Sequence, residues 1–63
     1  MSLQSLRQKY NCNIQYLIDE CTECITCGYG FRYAYTNSLS FMEISEARYV
    51  YRYAMMQIGG YDS

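Results

Sequence analysis

From Ser40 to Ile58 apolar residues recur at helical spacing on two faces rather than one. At roughly 100° per residue, Ile44, Ala47, Tyr51, Ala54, Met55 and Ile58 share one stripe, and Met42, Tyr49, Tyr53 and Met56 make a second. Arg48 and Arg52 separate the stripes on one side, and Glu43, Glu46 and Gln57 on the other. The pattern predicts a helix over about 41–58. Ser40 and Glu43 fit an S-x-x-E capping box, with Leu39 and Ile44 placed as its hydrophobic staple. Gly59 stands where a C′ glycine closes a helix. One stripe can pack inside the chain, and the other asks for a second chain.

The N-terminal half follows a simpler pattern. Leu6, Tyr10, Ile14, Leu17, Ile18, Cys21, Cys24 and Ile25 fall on one arc, which Leu3 joins if the helix starts early. Gln8, Gln15, Asp19, Glu20 and Glu23 fall outside it, the one-faced pattern of a helix lying on a core. A helix over about 3–27 is expected, opened by Ser2 or by a Ser5/Gln8 box. Asn11 and Asn13 are poor helix formers and mark a place where it can break. Between the helices, Tyr29, Phe31, Tyr33 and Tyr35 alternate with Gly30, Arg32 and Ala34 in a strand-like period. A lone strand has no partner, so residues 28–39 are expected to form an aromatic-rich loop or short turn over the helix pair, with Arg32 stacking on its tyrosines.

The fold class expected is all-α: a single helical domain over residues 1–63, built as a small helical hairpin with an aromatic-rich connecting loop and a tail over 59–63. In this hairpin Leu6, Tyr10, Ile14, Leu17 and Cys21 pack against Ile44, Tyr51, Met55 and Ile58. A chain of 63 residues buries only about 60% of its unfolded surface. Pairing into a dimeric helical bundle repairs that shortage of core. The expected assembly is a homodimer whose interface is Met42, Tyr49, Tyr53 and Met56, the stripe meeting its mate across a two-fold axis. Nine tyrosines beside two phenylalanines and no tryptophan suit half-exposed contact surfaces.

Four cysteines, Cys12, Cys21, Cys24 and Cys27, are the one constellation that could carry chemistry. Four thiolates suffice for a tetrahedral zinc site, and Cys24-Ile25-Thr26-Cys27-Gly28 resembles the C-x-x-C-G knuckle of zinc ribbons. On one continuous helix, however, Cys12 and Cys21 point about 180° apart. Cys21 and Cys24 are therefore read as small core residues, with no metal and no cofactor, and a four-cysteine zinc-stabilised mini-domain is the alternative. A redox pair has no βαβ context. The chain has no histidine, and Asp19, Glu20 and Glu23 read as a solvated face, so no enzyme is expected. Net charge is −1, which does not announce nucleic acid. Arg48 and Arg52 interleave with Tyr49 and Tyr53 and could contact a partner or phosphates; a solvated strip beside a protein interface is the reading taken. No apolar run approaches the ~18 residues of a membrane span. Residues 1–10 have no apolar signal-peptide core, so the expected location is the cytoplasm, where thiols stay reduced.

In size, composition and order of elements, with the amphipathic Leu3–Ile25 segment followed by a capped Tyr/Arg-rich helix and no catalytic set, the chain resembles the small early-region proteins of lambdoid phages, in particular the small open reading frames between the exonuclease and excisionase genes. The resemblance implies a protein of the host cytoplasm, made early in infection, that biases phage development or host physiology by binding a host or phage protein or nucleic acid. It assigns no role to any residue.

Overall fold

The computed structural model describes residues 2–58. It is all-α, with no strand among the described residues. Helix α1 spans Leu3–Tyr10, α2 Ile14–Thr26, α3 Phe31–Ala34 and α4 Ile44–Ile58, and a π-turn over Tyr35–Leu39 extends α3. The proposed tail over 59–63 and the Gly59 cap lie outside the described residues.

The expected continuous helix over 3–27 is two helices. Ser2 opens α1, its hydroxyl accepting the Ser5 amide at 3.2 Å. Asn11 closes α1 in the left-handed region at φ 51°, a conformation that asparagine enters more readily than most residues. Asn13 then opens α2 as its N-cap, its side-chain oxygen accepting the Tyr16 amide at 3.3 Å. Low propensity marked the right place, but the stronger cause is that the two asparagines act as a stop and a start. The break lets α1 turn back so that Leu6 reaches the core beside Ile14, Leu17, Ile18 and Cys21.

At the other end of α2, the Gly28 amide bonds the Ile25 carbonyl at 3.1 Å and the Tyr29 amide bonds the Cys24 carbonyl at 2.9 Å. With Gly28 at φ +91°, this is a Schellman termination. The glycine of the C-x-x-C-G sequence therefore closes a helix. A Cβ on Gly28 would meet nothing within 4 Å, so Gly28→Ala pays only the left-handed backbone cost of about 1–2 kcal/mol. Urea unfolding should show a loss of that size, whereas Gly30→Ala, with ordinary φ and open space, serves as the milder comparison.

The segment expected as a loop is largely helical. Aromatic residues two apart mimic a strand, but the same residues are also four apart. Tyr29 stacks on Tyr33 with centroids 4.2 Å apart, and Phe31 packs on Tyr35 at 5.8 Å. Both pairs have i,i+4 spacing: Phe31 and Tyr35 meet on the helical turn itself, and Tyr29, just before the Gly30 N-cap, lies back on Tyr33. Residues five apart diverge by about 140° on an α-helix; a π-turn brings them over one another. Ala34 and Leu39 are both fully buried across this turn.

Helix α4 begins later than the Ser40 box implies. Glu43 accepts the first helical bond, from the Ala47 amide at 2.9 Å, and its own amide donates to the Glu46 carboxylate at 3.3 Å. The reciprocal half of a capping box is thus present three residues downstream, with Glu46 at N3. Leu39 is buried while Ile44 is exposed, so they form no staple.

The two apolar stripes on α4 border one buried face. Its centre is Ala47 and Ala54, from the edge of the first stripe, together with Val50, which lies in neither stripe; all three are fully buried, and Glu46 beside them is buried too, on the side expected to be polar. Tyr49 and Tyr53 flank it on one side and Tyr51 and Met55 on the other, all half-buried. Helix α4 packs mainly on α2, with α1 and α3 adding to the same core. Of the four α4 residues expected to face the first helix, Ile44 and Ile58 are exposed instead.

Candidate interaction surface

Two groups of polar and aromatic residues stand out once α4 is oriented. The first lies at its N-terminal end. Glu46 is only 6% exposed, yet its carboxylate is fully occupied. Lys9 Nζ lies 2.6 Å from Oε2, and the Tyr10 hydroxyl and the Glu43 amide both donate to Oε1. Lys9 and Tyr10 come from the last turn of α1, so the cluster pins that helix to the head of α4. The Tyr10 ring also meets Phe41 edge-on, with centroids 5.4 Å apart.

The bonds from Lys9 and then Tyr10 hold the Glu46 carboxyl below its ordinary range. Bonding to Glu46 raises Lys9 and Tyr10 above theirs. Stability from Glu46 is therefore complete above the ordinary carboxylate value and is lost as pH falls through the depressed folded value. Stability from Lys9 and Tyr10 is complete below their ordinary values and is lost as pH rises through the raised ones. Glu46→Gln should accordingly be less stable than wild type at neutral pH, with the difference shrinking toward zero below about pH 4. Chemical denaturation across pH checks this, and a difference that stays constant from neutral to acid pH would contradict it. Lys9 is half-exposed, so solvent screens its share. The cluster is spent on itself: every group in it answers another, and it reads as a structural clamp.

The second group lies on the outer face of α4. Ile44, Arg48, Arg52 and Met56 follow one another at four-residue intervals and are all exposed, Ile44 at 53% and Met56 at 66%. Lys9–Glu46 is the one ion pair among the described residues, so neither arginine has a carboxylate partner there. The Arg48 guanidinium lies over the Phe31 ring at 5.3 Å, within cation–π range, and the expected stacking of Arg32 on the tyrosines is replaced by this contact. The Phe31 ring in turn meets Tyr51 edge-on at 5.4 Å, and the Tyr51 hydroxyl reaches the Tyr29 carbonyl at 3.5 Å. Phe31, Arg48, Tyr51, Arg52 and Met55 line an open cleft of about 300 Å³ between α3 and α4.

The residues expected to form a dimer interface are dispersed. Met42 lies in the turn before α4, only 3% exposed and part of the core, and its carbonyl accepts the Tyr35 hydroxyl at 3.0 Å. It is removed from the stripe because α4 starts after it, and no helical phase carries it round to the outer face. Tyr49 and Tyr53 pack against the core as its shoulder, and Met56 stands free. Arg48 and Arg52 fall together, as expected, but beside Phe31 and Tyr51 rather than Tyr49 and Tyr53. The aromatic side of that cleft was missed because it depends on α3 being a helix.

The four cysteines are likewise distributed: Cys21 is buried, Cys12 and Cys24 are half-buried and Cys27 is exposed. All four thiols are free, and no three Cys, His, Asp or Glu side chains converge as a metal-ligand group among the described residues. Burial pushes the Cys21 thiol up to about 11 and raises Cys24 as well, which disfavours the thiolate that nucleophiles and metal ligands require. The Asn11–Asn13 break does occur, so the first helix is not the obstacle it would be if continuous. What separates the thiols is that Cys21 points into the core while Cys27 sits in the Schellman turn. No helix is long and apolar enough to cross a membrane among the described residues. Comparison with protein-family models, curated proteins and solved structures gives no match for the chain.

Proposed function

We propose that this chain is a small non-enzymatic interaction protein that binds a protein partner through the outer face of α4. In keeping with its resemblance to lambdoid early-region proteins, its role is that of an accessory regulator acting in the host cytoplasm. The observation that carries the reading is the free strip Ile44, Arg48, Arg52 and Met56 on a helix whose other side is fully committed to the core. Apolar ends around a cationic centre, repeating every four residues, match the helix-face mode of protein recognition. Two guanidiniums with no carboxylate partner among the described residues give it polarity, and arginine is enriched where interfaces concentrate their binding energy.

A photocrosslinking amino acid placed at Arg52 tests this in bacterial cells producing the protein. The same group at Glu23, on the exposed side of α2, is the control. Crosslinks to a protein from position 52 and not from position 23 are expected. Equal yields, or crosslinks from position 52 to nucleic acid alone, would overturn the reading.

Self-association is the second reading. It is favoured by Met56, exposed beside the half-buried Tyr49 and Tyr53, which together offer a shoulder that a two-fold axis could match with itself. Sedimentation equilibrium at micromolar concentration distinguishes it, because Met56→Asp should then convert dimer to monomer. The core does not depend on it: eleven buried apolar residues form one cluster within the single chain.

A further inference from the structure

Resting on the reading of α4 as a protein-binding face, we propose that its partner presents an acidic amphipathic helix, with carboxylates seated on Arg48 and Arg52 and an apolar side chain entering the cleft between Phe31, Tyr51 and Met55. Charge complementarity selects the occupant. No carboxylate of the described residues pairs with this face. Asp19, Glu20 and Glu23 lie on the non-core side of α2, Glu43 stands at the head of α4 with its amide on Glu46, and Glu46 is bound to Lys9. Arg48 and Arg52, one helical turn apart, stand about 6 Å apart along the axis. That is also the spacing of carboxylates four residues apart on a partner helix. Arg48 is held against the Phe31 ring, which limits the side-chain freedom that an ion pair would otherwise have to restrict. The open cleft of about 300 Å³ has ample room for an apolar side chain, and Phe31, Tyr51 and Met55 give it an adaptable apolar wall.

A nucleic acid fits the same arginines less well. Phosphates have no use for Ile44 and Met56, the exposed apolar residues that bracket the arginines at both ends of the strip. Two guanidiniums would also neutralise few phosphates on a chain of net charge −1. A second copy of this chain offers its acidic side on α2. That side faces away from the basic one, so mutual use of both surfaces would build an open chain of copies rather than a closed pair.

The test uses the full chain and a fluorescein-labelled, helix-stabilised synthetic peptide with two glutamates four residues apart and a leucine between them on the same face. Its counterparts are the same peptide with lysines replacing the glutamates, and an oligothymidylate. Fluorescence anisotropy should show binding of the glutamate peptide that weakens from about 50 mM to about 500 mM salt as screening tightens. Arg48→Glu with Arg52→Glu should weaken it roughly tenfold or more and transfer preference to the lysine peptide. That reversal separates lost charge recognition from lost folding, and circular dichroism of the variant provides a second check. Preference of the wild type for oligothymidylate, or equal binding of both peptides, would overturn the proposal. If position 52 crosslinks to a protein whose contact segment is not acidic, the interaction reading stands and this inference falls.

Discussion

Leu39→Ala should destabilise the protein by about 2–5 kcal/mol, the range for emptying a fully buried leucine site. Leu39 is completely buried at the end of the π-turn. There it shares the core with Ala34 and Val50, so α3 and α4 are joined through it. Small domains have only about 0.05–0.15 kcal/mol of net stability per residue, and a chain of this length is marginal. The loss is therefore comparable with the whole stability, and a large unfolded fraction is expected at room temperature. Far-ultraviolet circular dichroism in a urea titration would show it as a lost or shortened folded baseline. A well-folded Leu39→Ala variant with a transition close to wild type would mean that residues 31–39 do not dock as described.

Val50→Asp should be at least as severe. Val50 is fully buried at the middle of the α4 face, and an unpaired carboxylate there either remains ionised at great cost or takes up a proton, in both cases losing several kcal/mol of stability. Arg48→Asp, two residues away but exposed, should cost only about 1 kcal/mol, from the lost contact with the Phe31 ring and the poorer helix propensity of aspartate. The contrast distinguishes one face centred on Val50 from two separate apolar stripes, because in the two-stripe arrangement Val50 lies in neither. Thermal melts of the two variants side by side decide it.

Much of the all-α architecture was legible in the sequence. The periodicity of Ile14–Ile25 and of Ala47–Ile58 located the two long helices, and Gly28 located the boundary between halves. The phase of α4 was not legible. Its core is made of small residues, Ala47, Val50 and Ala54, which carry little hydrophobic weight. The larger Tyr49, Tyr51, Tyr53 and Met55 sit on the shoulders and draw the eye to two stripes. Tyrosine has a polar end and an apolar ring, so sequence pattern alone cannot say which of the nine lie against the core. Glu46 adds to the error, because a carboxylate on the buried side makes sense only once Lys9 and Tyr10 are brought to it from α1.

The site was partly legible for related reasons. Arg48 and Arg52 form a pair at any helical phase, since four-residue spacing is enough. Their aromatic neighbours depend on tertiary structure: Phe31 reaches Arg48 only because α3 is helical and packs on α4. The π-turn has no simple sequence signature, and the burial of Ala34 with Leu39, five residues apart, is visible only after folding. Met42 was drawn into the interface stripe by extending the helix back to Ser40. The actual start, marked by Glu43 and Glu46, puts it in a buried turn.

The measurement that tests the central claim most directly is a thermal melt of an Ile44→Asp, Met56→Asp double variant, combined with crosslinking from position 52. If α4 buries one face in its own chain and leaves the other for a partner, the melting temperature should stay within a few degrees of wild type while the protein crosslink disappears. A large drop in melting temperature with the crosslink retained would place these residues in the fold and the binding surface elsewhere.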